Sequence, residues 1–188
     1  MKIVAFDLET TDLKAMTGRI LCASFFPIIS LEEAQLRVKL KPKTLRLDTK
    51  AFRGQSVIDD SLLAEGIVDV LHQYNCIVTW NGKQFDVPFL NARLAKAGLP
   101  AYRPQFHLDL MYYAGGVSMR IGSRKLVNVQ KFLGLEEEKT EMKWDTWAKA
   151  ATGEKEALDE VVEHCEQDVK VLAQAYHKMI GLVANIHA

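Results

Sequence analysis

Five side chains in this sequence have the type and spacing to do chemistry together. Asp7 and Glu9 stand two residues apart, directly after the apolar run Ile3-Val4-Ala5-Phe6. In an extended strand, residues i and i+2 share one face. Two carboxylates so placed repel each other unless water screens them or a cation lies between them. Hard divalent ions such as Mg²⁺ and Mn²⁺ take oxygen ligands of this kind. Alone, the pair reads equally well as a strand running out into a polar turn. Asp86 stands in Asn81-Gly82-Lys83-Gln84-Phe85-Asp86-Val87-Pro88, between an apolar strand and a helix, where open α/β sheets keep their ligand crevices. An Asp just ahead of Pro88 is also what a helix cap looks like. His164 and Asp168 are four residues apart in a late helix and so share a face. Alone, they are a surface pair worth a few tenths of a kcal/mol.

The elements that must position these groups follow from periodicity. Ile3 to Phe6 opens a buried strand, Arg19 to Ile29 a second that ends near Pro27, and the alternation of Leu36, Val38 and Leu40 with Arg37 and Lys39 a third, half-exposed one over 35–40. Their closeness in sequence predicts an antiparallel meander. Lys41 to Gln55 reads as a polar, basic loop. Asp59 or Asp60 can cap a helix through Leu71, and Cys76 to Trp80 is then a central strand parallel to the first, reached by a helical crossover. A helix from about Val87 is closed by Gly98. Phe106 to Leu110 is a last strand or strand-to-helix junction. Helices over Lys125–Leu133, Asp145–Ala151 and Lys155 to about Ala184 complete the chain. Strands first, then strands alternating with helices, then helices, predict an α/β domain with a mixed central sheet flanked by helices.

Composition excludes several classes. A chain of 188 residues, 48% apolar and 26% charged, suits one soluble globular domain over 1–188. Neither a secretory leader nor a membrane-spanning run is expected. Cys22, Cys76 and Cys165 are scattered, without zinc or disulfide spacing, and suit a reducing cytoplasm. Net charge is zero, with 24 Lys and Arg against 24 Asp and Glu, yet charge is segregated. One basic set runs from Arg37 to Arg53 and another includes Arg120, Arg124, Lys125 and Lys131, whereas acids gather at 136–138 and from Glu154 to Asp168. Basic sets beside a carboxylate site are what a nuclease would use to hold phosphates. Each set alone reads as a solvated face.

Taken together, D-x-E after a strand, N-x-x-x-F-D before a helix and H-x-x-x-D in a late helix resemble the three exonuclease motifs of the DEDD superfamily. Phe6-Asp7-Leu8-Glu9-Thr10, Asn81 with Phe85-Asp86-Val87-Pro88, and Lys125-Leu126 with Val129 and Leu133-Gly134 are most similar to the proofreading domain of family B DNA polymerases and its stand-alone relatives. The resemblance runs from residue 6 to residue 172. It implies a ribonuclease H-like fold and metal-dependent 3′-to-5′ exonuclease activity on the 3′ end of single-stranded nucleic acid, DNA favoured. Trimming of RNA 3′ ends, or nucleic-acid binding without catalysis, are the alternatives. It also implies two divalent ions, Mg²⁺ or Mn²⁺, held by Asp7, Glu9, Asp86 and Asp168, with His164 as general base. Polymerase-type members usually carry Tyr at this spacing, and members with His usually space it H-x-x-x-x-D. Thr10, Thr11 and Leu13 lie where relatives contact the terminal nucleotide. Asn81 is a candidate for orienting substrate, and Lys83, Arg124 and Lys125 are candidate phosphate contacts. Phe85, Phe89, Trp80 and Cys165 read as core, whereas Trp144 and Trp147 are candidates for stacking on bases.

Overall fold

The computed structural model describes residues 1–30, 40–52, 59–116, 119–136 and 142–183. Five strands form one sheet: β1 (Ile3–Thr10), β2 (Ile20–Ile28), β3 (Lys43–Arg46), β4 (Cys76–Thr79) and β5 (Phe106–Asp109). Their order is β3-β2-β1-β4-β5. β1, β2 and β3 pair antiparallel, while β4 and β5 continue in parallel from β1. The strand order therefore reverses between β1 and β4, the topological switch point at which α/β sheets bind ligands.

The period-2 pattern of β1 decides the two layers. Val4, Phe6 and Leu8 point to one face, where they pack with Leu63, Ile67 and Leu71 of α1 (Ser61–Leu71) and Leu90 and Leu94 of α2 (Asp86–Lys96). Phe6 and Phe25 stack there at 5.4 Å. Ala5 points to the other face, with α3 (Leu110–Gly115), α4 (Leu126–Leu133) and the long helix α6 (Lys155–Met179). The amino-terminal half of α6 and α5 (Trp144–Thr152) cover Leu21 and Cys22 of β2. Asp7 and Glu9 follow the odd register of Ala5, and so face α6.

Four expectations need correction. β2 runs through Pro27, which pairs with Val4. β3 ends its pairing at Phe25, so Pro27 lies beyond the part of β2 that needs an N–H for that neighbour. The third strand is Lys43–Arg46, inside the stretch expected to be a loop: Leu45 packs on the core and the Thr44 hydroxyl meets Ser24 Oγ at 2.9 Å. Residues 35–39 of the expected strand lie outside the described residues, and Leu40 is not in a strand. Of the two cap candidates, Asp60 borders α1 but turns its carboxylate inward to Arg93, and it is Asp59 Oδ1 that accepts the N–H of Ser61, at 3.1 Å. The last helix stops at Met179, and a 3₁₀ turn (Ile180–Leu182) follows.

Candidate active site

β1 outlasts its parallel neighbour. Pairing with β4 covers Ile3 to Ala5 only, so Asp7 to Thr10 project past the carboxyl end of β4. A register shift between Glu9 and Thr10 bends the strand there. Asp7 and Glu9 are half-buried, and their carboxylate oxygens come within 4.8 Å of each other and of Cys165 Sγ.

α6 closes this group from one side. It packs along β1 and β2, and its 3.6-residue period puts His164, Cys165 and Asp168 on the buried face. They are 8%, 0% and 6% exposed, which removes the reading of His164 and Asp168 as a surface pair. His164 Nε2 lies 3.8 Å from Glu9 Oε1 and 3.9 Å from Asp168 Oδ2, so the imidazole stands between the first and third motifs. Cys165 is core, as expected, but it does more. Its thiol faces the Asp7 carbonyl at 3.5 Å and the Asp7 carboxylate at 3.6 Å. Burial first, then Cys22 and the charges of Asp7 and Glu9, push the thiol well above its ordinary pKa, so it donates S–H rather than acting as a thiolate.

Asp86 arrives from the opposite side, as the first residue of α2. Its carboxylate does not cap that helix end from outside; Oδ1 accepts the backbone N–H of Leu8, at 3.1 Å, between the two acids of β1. Burial pushes the Asp86 carboxyl up to about 7, against the lowering effect of the Leu8 N–H and with a further push from the charge of Asp109. The turn that delivers it is built tightly. Asn81 adopts φ 68°, and a side chain at Gly82 would collide with Thr79. Asp109, 1% exposed, accepts the N–H groups of Asn81 at 2.8 Å and Lys83 at 3.0 Å, and caps α3 at Met111. Sequence reasoning missed this role of Asp109; its signal was an Asp at a strand end directly before a helix.

A cavity of about 640 Å³ opens beside Glu9, lined by Glu9, Thr10, Thr11, Asp12, Leu13, Phe85 and Trp147; Asp7, Asp86, His164 and Asp168 are not in its lining. Thr10, Thr11 and Leu13, the expected contacts of a terminal nucleotide, are thus on its wall. Trp147 also meets His164 edge-on, with ring centroids 6.1 Å apart. Phe89 is core, but Phe85 both packs against the core and faces the cavity. The side chain of Trp144 lies outside what is described. Asn81, Lys83, Arg124 and Lys125 are outside the cavity's lining. Asn81 serves the turn, the Lys83 ammonium sits over the Tyr112 ring at 5.9 Å, and the Arg124 carbonyl accepts the Trp80 indole N–H at 2.9 Å. Of the basic set in 37–53, Arg46 is already paired with Asp48 and Asp159, both at 2.6 Å, while residues 37, 39 and 53 lie outside the described residues.

The donor set fits a divalent cation. Asp7 and Glu9 supply clustered hard oxygen donors, and the neutral Cys165 thiol supports Asp7 without adding a thiolate.

A family model of the RNase H superfamily matches residues 4–180. Among solved structures, the chain is similar to the family B DNA polymerase from the hyperthermophilic archaeon Pyrobaculum calidifontis, with a TM-score of 0.66 and 14% sequence identity. The match covers 95% of this chain and 24% of that one, so the chain spans about a quarter of the polymerase's length. At that identity the likeness is one of fold. No curated protein matches.

Proposed function

Because this chain belongs to the RNase H superfamily, a group of nucleases that act on nucleic acid with divalent metals, we propose that it is a 3′-to-5′ exonuclease on single strands, with DNA as the favoured substrate. One observation carries the reading. Acids from three separated stretches approach the projecting end of β1: Asp7 and Glu9 stand on it, Asp86 of α2 accepts the N–H of Leu8 between them, and Asp168 of α6 lies 3.9 Å from His164, itself 3.8 Å from Glu9.

In this reading Asp7, Glu9 and Asp168 hold one divalent ion, and Asp7 with Asp86 serves a second, either Mg²⁺ or Mn²⁺. When bound, such ions acidify the attacking water and offset charge on the leaving 3′ oxygen. His164 takes the proton of that water at Nε2 as the water oxygen bonds to phosphorus and the bond from phosphorus to the 3′ oxygen breaks. Histidine's ordinary pKa of about 6.5 suits the task. Glu9 Oε1 and Asp168 Oδ2 flank that nitrogen at 3.8 and 3.9 Å. Thr10, Thr11 and Leu13 form one wall for the terminal nucleotide, and Phe85 and Trp147 supply aromatic surface to bases.

Residues 1–188 are read as one such domain. No described helix is long and apolar enough to cross a membrane, and the three buried free thiols favour the cytoplasm in the same proposal. The test is a digest of matched single-stranded DNA and RNA, labelled at either end, with Mg²⁺ or Mn²⁺. Stepwise loss from the 3′ end is expected, with DNA the faster. Asp7→Ala should fold normally and lose nearly all turnover. Full turnover by that variant, or cutting from the 5′ end, refutes the proposal.

A further inference from the structure

The loop that walls the cavity is anchored from beneath by a buried ion pair that the acids do not explain. Arg93 and Asp60 are 4% and 2% exposed. The guanidinium binds the Asp60 carboxylate through Nε at 3.0 and 2.9 Å and through Nη2 at 2.6 Å. Asp60 in turn accepts the N–H of Ile20, at the start of β2, at 2.8 Å. The remaining arm of Arg93 donates to two loop carbonyls, Ala15 at 3.0 Å and Gly18 at 2.9 Å.

Those carbonyls belong to the connection between β1 and β2, whose first residues line the cavity. The loop is also closed at its neck, where Thr11 and Arg19 exchange hydrogen bonds at 3.0 and 3.1 Å. Inside it, the Thr17 hydroxyl donates to Asp12 at 2.6 Å. Yet its tips, Leu13 and Met16, are 80% and 88% exposed. A loop tied at its neck, interior and base, with apolar tips left in water, is ordered in advance for a ligand, which lowers the entropic cost of binding. Arg93 stands seven residues after Asp86, two turns along the same face of α2. One helix therefore delivers the acid to β1 and the clamp to the loop that leaves β1.

We propose that the Arg93–Asp60 pair is a positioning device that presets this wall of the cavity, and so governs substrate capture rather than the chemical step. Its substrate half rests on the exonuclease reading; its structural half does not.

Three proteins test it: wild type, Arg93→Lys, and the double variant Asp60→Leu/Arg93→Met. Replacing both members of a buried pair with apolar side chains is often neutral for folding. Lysine keeps a charge for Asp60 but lacks the fork needed to hold the carboxylate and both carbonyls at once. Two readouts are followed: the rate of tryptic cleavage after Lys14 in the folded protein, and KM and kcat on single-stranded DNA with Mg²⁺. In the double variant, cleavage after Lys14 should rise by roughly tenfold or more, because the loop now opens locally. KM should rise about tenfold with kcat within about threefold, since ordering of the wall is then charged to binding. Arg93→Lys should fall between. Lys14 protected as in wild type with KM unmoved, or kcat falling while KM stays, overturns the proposal. If the double variant does not fold, Arg93→Lys decides by the same readouts. If wild type degrades no strand, the exonuclease reading fails, and Lys14 cleavage alone decides whether the pair holds the loop.

Discussion

Replacing Asp86 with asparagine should make the metal-free protein more stable while removing its activity. The carboxyl is 3% exposed, and burial raises it from 3.8 to about 7. A carboxyl whose folded pKa lies above its unfolded value holds its proton more tightly when folded. Between pH 3.8 and about 7 the native state therefore carries the extra proton, and stability falls as pH rises across that window. The difference of about 3 pH units, at about 1.36 kcal/mol each, gives about 4 kcal/mol as the upper bound above pH 7. Water entry and local relaxation reduce it, and about 2 kcal/mol is the working figure. Asparagine keeps an oxygen for the Leu8 N–H and removes the charge. In EDTA, chemical denaturation of wild type and Asp86→Asn should coincide near pH 4, diverge between pH 4 and 7, and differ by about 2 kcal/mol in favour of the variant at pH 8. Added Mg²⁺ or Mn²⁺ should narrow the gap by stabilising wild type more than the variant, which keeps Asp7, Glu9 and Asp168 but lacks the carboxylate proposed for the second ion. A variant less stable than wild type at pH 8 in EDTA, or a gap independent of pH, refutes the account of Asp86 as a buried, strained carboxylate.

Two further outcomes follow from the same geometry. His164→Ala should lower turnover on the order of 10²-fold, the usual scale for a general base, and erase the acid limb of the pH–rate profile; an unchanged acid limb would show that another group takes the proton. His107, hydrogen-bonded to the Thr79 hydroxyl at 2.8 Å, is lowered from 6.5 to about 4 by burial and then by Lys83. The unfolded chain takes that proton first as pH falls, so stability is lost from about pH 6.5 down to 4, and His107→Gln should recover about 1–2 kcal/mol at pH 4 after allowance for solvent screening; equal acid denaturation of the two proteins would contradict it.

What the sequence made legible is what short spacing encodes. The i, i+2 period put Asp7 and Glu9 on one face, and the i, i+4 period did the same for His164 and Asp168. Apolar runs located β1, β4 and β5, and the β1–β4 crossover followed. Other features depend on partners far away in the chain. Nothing near Asp60 announces Arg93, 33 positions later. Asp109 lies in what reads only as a strand-to-helix junction, and its hold on the turn at Asn81, 28 residues earlier, exists only in the folded protein. Cys165 falls on an apolar stripe, and only the packing of α6 on β1 turns its thiol to Asp7, 158 positions away. Arg46 reads as a free cation in a basic run because Asp159 approaches it only in the folded protein. β3 was misplaced for a related reason: Lys43-Thr44-Leu45-Arg46 offers a single apolar residue, and it becomes a strand because β2 presents an open edge to it.

The arrangement of charge explains why α6 must bury polar groups at all. A helix packed only to stabilise the sheet would fill positions 164 and 168 with apolar side chains, as it does at Val161, Val169 and Leu172. Instead it places an imidazole and a carboxylate, 8% and 6% exposed, against the half-buried acids of β1. Together with Asp86, these groups bring several acids into a region of low dielectric, where holding a charge costs several kcal/mol. Against a typical net stability of about 5–15 kcal/mol, that is a large fraction. Under the proposed function a divalent cation would offset that charge and leave His164 to accept a proton. On that proposal, the electrostatic strain that lowers the stability of the metal-free protein also favours the ion, and the stability difference at Asp86, without and with metal, measures both.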